Sequence, residues 1–351
     1  MTEWLTIEGS MGEGGGQILR SSLALSLLTG TPIRIANIRR GRAKPGLMRQ
    51  HLAAVQAAAQ IGEAEVRGAE IGGVELEFHP KALRGGDYTF AIGGAGSTTL
   101  VFQTVFLPLL LGAAGPSQLT FEGGTHNPMA PPFDFLTQTF LPILARMGAR
   151  VSCELTRYGF YPAGGGRWTA TIEPAKSLDR LTLLERGDIR ARRATALIAQ
   201  VSPSVALREL DTLARALGWE RAWCKPLMIE RPEGPGNALL AIVESDAVTE
   251  IVAGFGERGV RAETVAHAVA AETARYIAAN VPVGEHLADQ LLLPMALGAG
   301  GAFRTVRPST HCLTQIELLR LFLDVTITAA EVAPDVWHIE VPPARTTAHV
   351  R

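Results

Sequence analysis

The chain has 351 residues, 47% hydrophobic and 19% charged, with a formal net charge of −1. That length exceeds the size at which single cores usually stop growing, so two domains are expected, and the composition is that of a folded protein rather than a disordered one. A near-neutral balance excludes a protein that coats long nucleic acid, yet it leaves room for a local basic pocket gripping one terminus.

The longest apolar runs, 100–114 and 291–299, are interrupted and too short to span a bilayer. Met1-Thr2-Glu3-Trp4 lacks the basic opening of a signal peptide, so a cytoplasmic protein with no membrane contact is expected. Cys153, Cys224 and Cys312 are scattered and odd in number, which fits a reducing compartment and shows no zinc-ligand spacing. The eight histidines form no close metal-binding pair, so a protein-built cage is not expected. Magnesium or manganese arriving with a nucleotide stays open, because such ions lean on substrate phosphates.

In chain order, three segments share one plan. Gly14-Gly15-Gly16 opens an apolar helix (Ile18, Leu19, Leu23, Leu27) that stops near Gly30 before a strand at 33–38. Gly93-Gly94-Ala95-Gly96 opens a second, stopping at Gly112 before a strand at 118–122. Gly284 opens a third, stopping at Gly298 before a strand at 303–306. A further helix is expected after each strand, beginning beside Pro45, Pro131-Pro132 and Pro308, since proline suits a first helical position. Strands at 64–67, 151–155 and 325–327 are expected to close the three units. Between the second and third, the rhythm changes: strand 188–196, helix 204–217, strand 219–224, a Pro/Gly loop, strands 238–244 and 247–255, helix 263–279. The expected fold is therefore α/β (α+β): three repeated two-helix, small-sheet units over 1–184 and 281–351, with a smaller α/β domain inserted at 185–280.

Candidate chemistry clusters at glycine turns and helix starts. Glu13 and Arg20 flank the first glycine run, where a phosphate can approach the backbone. Arg39, Arg40, Arg42 and Lys44 form a basic loop ahead of Arg49, Gln50 and His51, a sensible anion grip. Gln103 lies inside an apolar helix, where it either satisfies a buried backbone group or reads a base edge. His286, Asp289 and Gln290 stand near one helix start, and His311 stands at another, just after Pro308 and Ser309. Either His311 belongs to its helix cap, or it is a nucleophile that carries a nucleotide, its pKa lowered by the helix dipole. The wider pattern favours the nucleophile. Cys312 cannot be its partner, because adjacent helical side chains diverge by about 100°.

These motifs together resemble the RNA 3′-terminal phosphate cyclases. The matching stretches run from Gly12 to Arg20, Arg42 to Leu47, Gly159 to Gly166, His286 to Gln290 and Ser309 to His311, in the family's order across nearly the whole chain. The resemblance implies three repeated α/β units with a smaller insert. It also implies a ligase that uses ATP: His311 attacks the α-phosphate, AMP passes to an RNA 3′-phosphate, and the 2′-hydroxyl displaces it to leave a 2′,3′-cyclic phosphate. It suggests nucleotide contacts at Gln103, Pro131, His286, Leu287, Ala288, Asp289 and Gln290. Catalytic support is suggested from Glu13, Arg20, Arg42 and Gln50, with Glu13 and Asp289 as metal ligands. Asp289 either holds the metal or orients His311. His286 and Gln315 depart from residues common in the family. RNA 3′-phosphate ends and ATP are the expected partners. The rivals are a non-catalytic cyclase relative in ribosomal RNA processing, which should lack the histidine, and an enolpyruvyl transferase of similar repeat fold, which should not be labelled by ATP.

Overall fold

The computed structural model describes residues 3–344; residues 1–2 and 345–351 of the expected outer segments lie outside the described residues. Three units repeat one order: strand, helix, strand, helix, strand, strand. The first contains Leu5–Glu8, the helix Gly16–Thr29, Ile33–Ala36, the helix Arg49–Ile61, Glu65–Arg67 and Leu76–His79. The second contains Asp87–Ala91, the helix Thr98–Gly112, Ser117–Gly123, a helical run over 133–146, Arg150–Arg157 and Gly166–Glu173. The third contains Leu181–Leu183, the helix Glu285–Leu297, Gly301–Thr305, the helix Thr310–Phe322, Thr328–Ala333 and Val336–Val341. Each unit folds into a four-stranded sheet in the order first, second, fourth, third, with only the first pair parallel. Helices from different units pack on one another, and their apolar faces (Leu19, Leu23, Val101, Val105, Leu291, Leu319) share one core.

The sequence reading missed the opening and closing strands of each unit, among them Leu5–Glu8, Leu76–His79 and Leu181–Leu183, which are only three or four residues long. Three finer expectations are corrected. The helix expected at Pro45 begins at Arg49, because Asn37 and Arg39 adopt left-handed φ angles of 55° and Gly46 one of 80°, which makes the basic stretch a series of turns. No proline of the three occupies a first helical position; Pro132 is itself an N-cap, and Ser309 follows Pro308 as another. Val325 and Ile327 alternate as buried plugs under a connecting segment, and the strand starts at Thr328.

Between Leu181–Leu183 and Glu285–Leu297 lies a fourth sheet of Ile189–Ala199, Cys224–Met228, Gly236–Ser245 and Thr249–Phe255. The helices Pro203–Leu217 and Ala262–Ala279 cover it around a separate cluster that includes Ile198, Leu210, Trp219, Leu239 and Val269. The strand expected at 219–224 is instead a tight turn at Arg221–Trp223 followed by the strand from Cys224. We propose this segment as the inserted domain. Among the described residues, no helix is long and apolar enough to cross a membrane.

Candidate active site

Three helices bring their first turns together: Gly16–Thr29, Glu285–Leu297 and Thr310–Phe322. The side chain that joins them is Gln17, whose Nε2 donates to Asp289 Oδ2 at 3.1 Å while its Oε1 lies 3.0 Å from His311 Nδ1. The glycine turn before the first helix is held from the third: Glu13 N–H donates to Thr314 Oγ1 at 3.0 Å, and Thr314 donates to Thr310 O at 2.7 Å. Gly12 has φ +53°, and a Cβ there would run into the Thr314 hydroxyl, so no other residue keeps this contact without strain. Capping of the His311 helix falls to Ser309, whose Oγ accepts from Cys312 N–H at 3.2 Å. His311 is therefore free of that duty.

The hydrogen bonds fix the tautomer. Asp289 accepts from the Gln17 amide nitrogen, which turns the amide oxygen toward the ring, and an amide oxygen only accepts. Nδ1 of His311 must then carry the hydrogen, leaving the lone pair on Nε2. That nitrogen lies 3.7 Å from Glu13 Oε1, too far for a hydrogen bond, and the side chain is 44% exposed. Arg42 forms an ion pair with Glu13 and also donates to its backbone oxygen at 3.1 Å. Glu13 Oε2 is buried with no hydrogen-bond partner among the described residues.

The electrostatics keep the ring neutral. Burial pushes the His311 pKa below the ordinary histidine value, and Arg20, His286 and Arg42 add to the effect. Burial raises Asp289 to about 6, against the pull of His286 and Arg20. Burial likewise lowers Arg20 to about 10. Cys312 is wholly buried and its thiol is pushed well above the usual range, which removes it as a nucleophile.

Nε2 faces a cleft of about 1070 Å³, lined by Glu13, Arg42, Met129, Arg275, Arg307 and His311 among others. That is ample for a mononucleotide, since sites for small ligands run to roughly 300–1,000 Å³. The description of the RNA 3′-terminal phosphate cyclase family matches residues 11–329.

The chain belongs to that family.

It is similar to proteins named RNA 3′-terminal phosphate cyclase from several bacteria. Against that of Koribacter versatilis it is 50% identical over 327 residues, covering 93% of this chain and 92% of the other. Against that of Ralstonia nicotianae it is 52% identical over 325 residues, covering 92% and 93%. Against that of Salmonella agona it is 50% identical over 331 residues, covering 94% and 95%. A solved EPSP synthase from Acinetobacter baumannii aligns over 97% of this chain and 64% of its own, at 12% identity and a TM-score of 0.30, a likeness too slight to speak to fold or chemistry.

Of the residues suggested by resemblance to the cyclase family, Glu13 pairs with Arg42 and lies 3.7 Å from His311, while Asp289 reaches His311 through Gln17. Arg20 stands behind them, in the electrostatic reach of both Asp289 and His311. Glu13 and Asp289 attend opposite nitrogens of the imidazole. Gln103 Nε2 donates to Gln290 Oε1 at 2.6 Å, and Gln290 in turn donates to His286 O at 2.9 Å, which links Gln103 to the first turn of the helix that carries Asp289. His286 is exposed, with Nε2 3.4 Å from Glu272 Oε1. Leu287 and Ala288 are 0% exposed and pack in the core. Gln50 lies at the glycine turn of the second unit, its Oε1 accepting from Ser97 N–H at 3.3 Å. Pro131 is held there too, its carbonyl accepting from Thr99 Oγ1 at 2.7 Å.

Gln17 and Thr314 are the functional residues that sequence reasoning passed over. Gln17 carried a signal: it is a polar side chain that recurs at the buried start of an apolar helix. Gln315, uncertain in the sequence, accepts from Ser21 Oγ at 2.8 Å and ties the third unit's helix to the first's. Among the described residues, no group of three or more His, Cys, Asp or Glu is arranged to hold a metal ion.

Proposed function

We propose that this chain converts an RNA 3′-terminal phosphate to a 2′,3′-cyclic phosphate with ATP, carrying AMP first on Nε2 of His311 and then on the RNA. The observation that carries the reading is the neutral imidazole whose Nε2 lone pair opens onto a cleft beside Glu13 and Arg42.

Nε2 forms a bond to the α-phosphorus as the bond to pyrophosphate breaks, and the hydrogen on Nδ1 stays in place. The ring becomes cationic, and the Gln17 amide oxygen, steadied by Asp289, stabilises that charge. Arg42 supplies positive charge toward the phosphates. An oxygen of the RNA 3′-phosphate then attacks the phosphorus and the neutral imidazole leaves. Finally the RNA 2′-hydroxyl attacks its neighbouring 3′-phosphorus, loses its proton, and expels AMP. The histidine adduct exists because a phosphate monoester is a poor electrophile until AMP is attached as a leaving group.

The donor set suits a magnesium or manganese ion that arrives with the triphosphate, for the buried, unpartnered Glu13 Oε2 is an oxygen free to receive it. Such an ion would neutralise phosphate charge. Asp289, engaged by Gln17 at the other ring nitrogen, is read as the residue that orients His311 rather than as a second ligand.

The test is product chemistry. A 3′-phosphorylated oligoribonucleotide incubated with the protein, ATP and magnesium should yield a phosphatase-resistant end and one AMP per end. The same oligomer with a 2′-deoxy terminus should accumulate as the adenylate instead. A phosphatase-sensitive RNA end after incubation would refute the reading.

A further inference from the structure

Met129 is the most exposed large apolar residue among the described residues, at 85%, and it lines the cleft that His311 faces. Its backbone is left-handed, with φ 62°, an uncommon state for an unbranched apolar residue. The loop around it is not loose. Thr125 O accepts from Phe133 N–H at 3.0 Å, His126 Nε2 lies 2.8 Å from Asp134 Oδ2, and Thr99 holds the Pro131 carbonyl at 2.7 Å. A well-anchored loop thus presents a solvated thioether to the cleft. Leu313, two residues beyond His311 in the same helix, lines the same cleft and is 47% exposed. Arg307 and Arg42 border them.

Proteins hold single-stranded nucleic acid with a positively charged groove for the backbone and side chains against which bases lie, most often aromatic rings; an exposed Met and Leu beside two arginines offer the same pairing of charge and apolar surface. Gln103, His286 and Gln290, the suggested contacts to ATP, are not among the residues that line this cleft. Resting on the function proposed above, we infer that Met129 and Leu313 form the seat for a base at the 3′ end of the RNA, with Arg307 on its backbone phosphate. They are specificity residues for the RNA and take no part in forming the histidine adduct.

The experiment compares Met129→Asn with the unaltered chain. Asparagine tolerates the left-handed backbone, so the loop shape is kept while the apolar contact goes. Self-adenylylation from labelled ATP, which needs no RNA, is the reference reaction. The expected result is a rise of roughly tenfold in KM for a 3′-phosphorylated oligoribonucleotide, a loss equivalent to one modest base contact. Leu313→Ala should act in the same direction. On an oligomer whose last nucleotides lack bases, the altered and unaltered chains should give the same KM. An unchanged KM for the ordinary RNA, or an equal penalty on the abasic RNA, overturns the inference. A raised ATP requirement for self-adenylylation would seat adenine on Met129 and overturn it as well. Failure of the unaltered chain to adenylylate itself would sink the parent reading, and this one with it.

Discussion

His311 and Gln17 meet at 3.0 Å through a ring nitrogen and an amide oxygen, and that contact decides which nitrogen of the ring can react. With Nδ1 forced to donate, Nε2 holds the lone pair and looks into the cleft. The arrangement depends on Asp289, which fixes the amide the right way round.

Gln17→Ala should therefore slow formation of the histidine adduct by roughly 10- to 100-fold, the cost typical of removing a partner that orients a histidine. ATP affinity should change far less. Single-turnover rates over a range of ATP concentrations separate the two; a slow rate restored by more ATP would contradict the assignment.

Acid should stop the reaction through the same chain of contacts. Asp289, raised to about 6, takes up a proton as pH falls through that value, and the Gln17 amide then loses its ionised acceptor. His311, lowered from the usual range, stays neutral through the same interval. Adduct formation measured from about pH 5 to 8 should fall on the acid side with an apparent pKa near 6 and lie flat above it. In Asp289→Asn the rate should be lower at every pH and the acid limb absent.

Glu250, on a strand of the inserted segment, is 3% exposed and accepts from Gly284 N–H at 3.1 Å, at the start of the helix that carries Asp289. Burial, with a smaller push from Glu272, raises it to about 8, while the Gly284 N–H opposes the shift. The folded pKa stands above the unfolded one, so the stability it contributes is complete below the model-peptide value of 4.5 and is lost as pH climbs to about 8. His51 works in the opposite sense: burial, Arg20 and Arg39 lower it to about 3, so stability is lost as pH falls below 6.5. Between pH 4.5 and 6.5 the two slopes oppose, so thermal melts should be highest there and decline from 6.5 toward about 8. Glu250→Gln should flatten the decline toward pH 8, a change on the order of a few kcal/mol; an unaltered decline would contradict the role.

Glycine and apolar periodicity made the repeats legible, since each unit opens its first helix with a glycine or a glycine run and buries one face against its neighbours. Strands such as Leu5–Glu8, Leu76–His79 and Leu181–Leu183 were not legible, because three or four residues of alternation carry little signal. At the site, Glu13, Arg42, Asp289 and His311 could be named from residue type and position. Gln17 could not be placed, because its importance comes from two partners about 270 to 290 residues away, Asp289 and His311, a relation that only the packing of three helix starts creates. The same holds for the bond between Gln103 and Gln290, which joins residues 187 positions apart.

Ser309→Ala removes the acceptor for Cys312 N–H and should cost about 1 kcal/mol of stability, seen as a lower midpoint in urea with an unchanged slope. The adduct should still form, more slowly, because the helix start that carries His311 frays. Full adduct formation at an unchanged midpoint would mean that the cap carries no weight.

The central claim is tested most directly by incubating the protein with magnesium and ATP labelled at the α-phosphate, then following the label on the denatured chain. The account predicts a covalent adenylate that is labile to acid and stable to alkali, as a phosphoramidate is, lost in His311→Ala and retained in Cys312→Ala. Label that survives His311→Ala, or no covalent label in the unaltered chain, would contradict it.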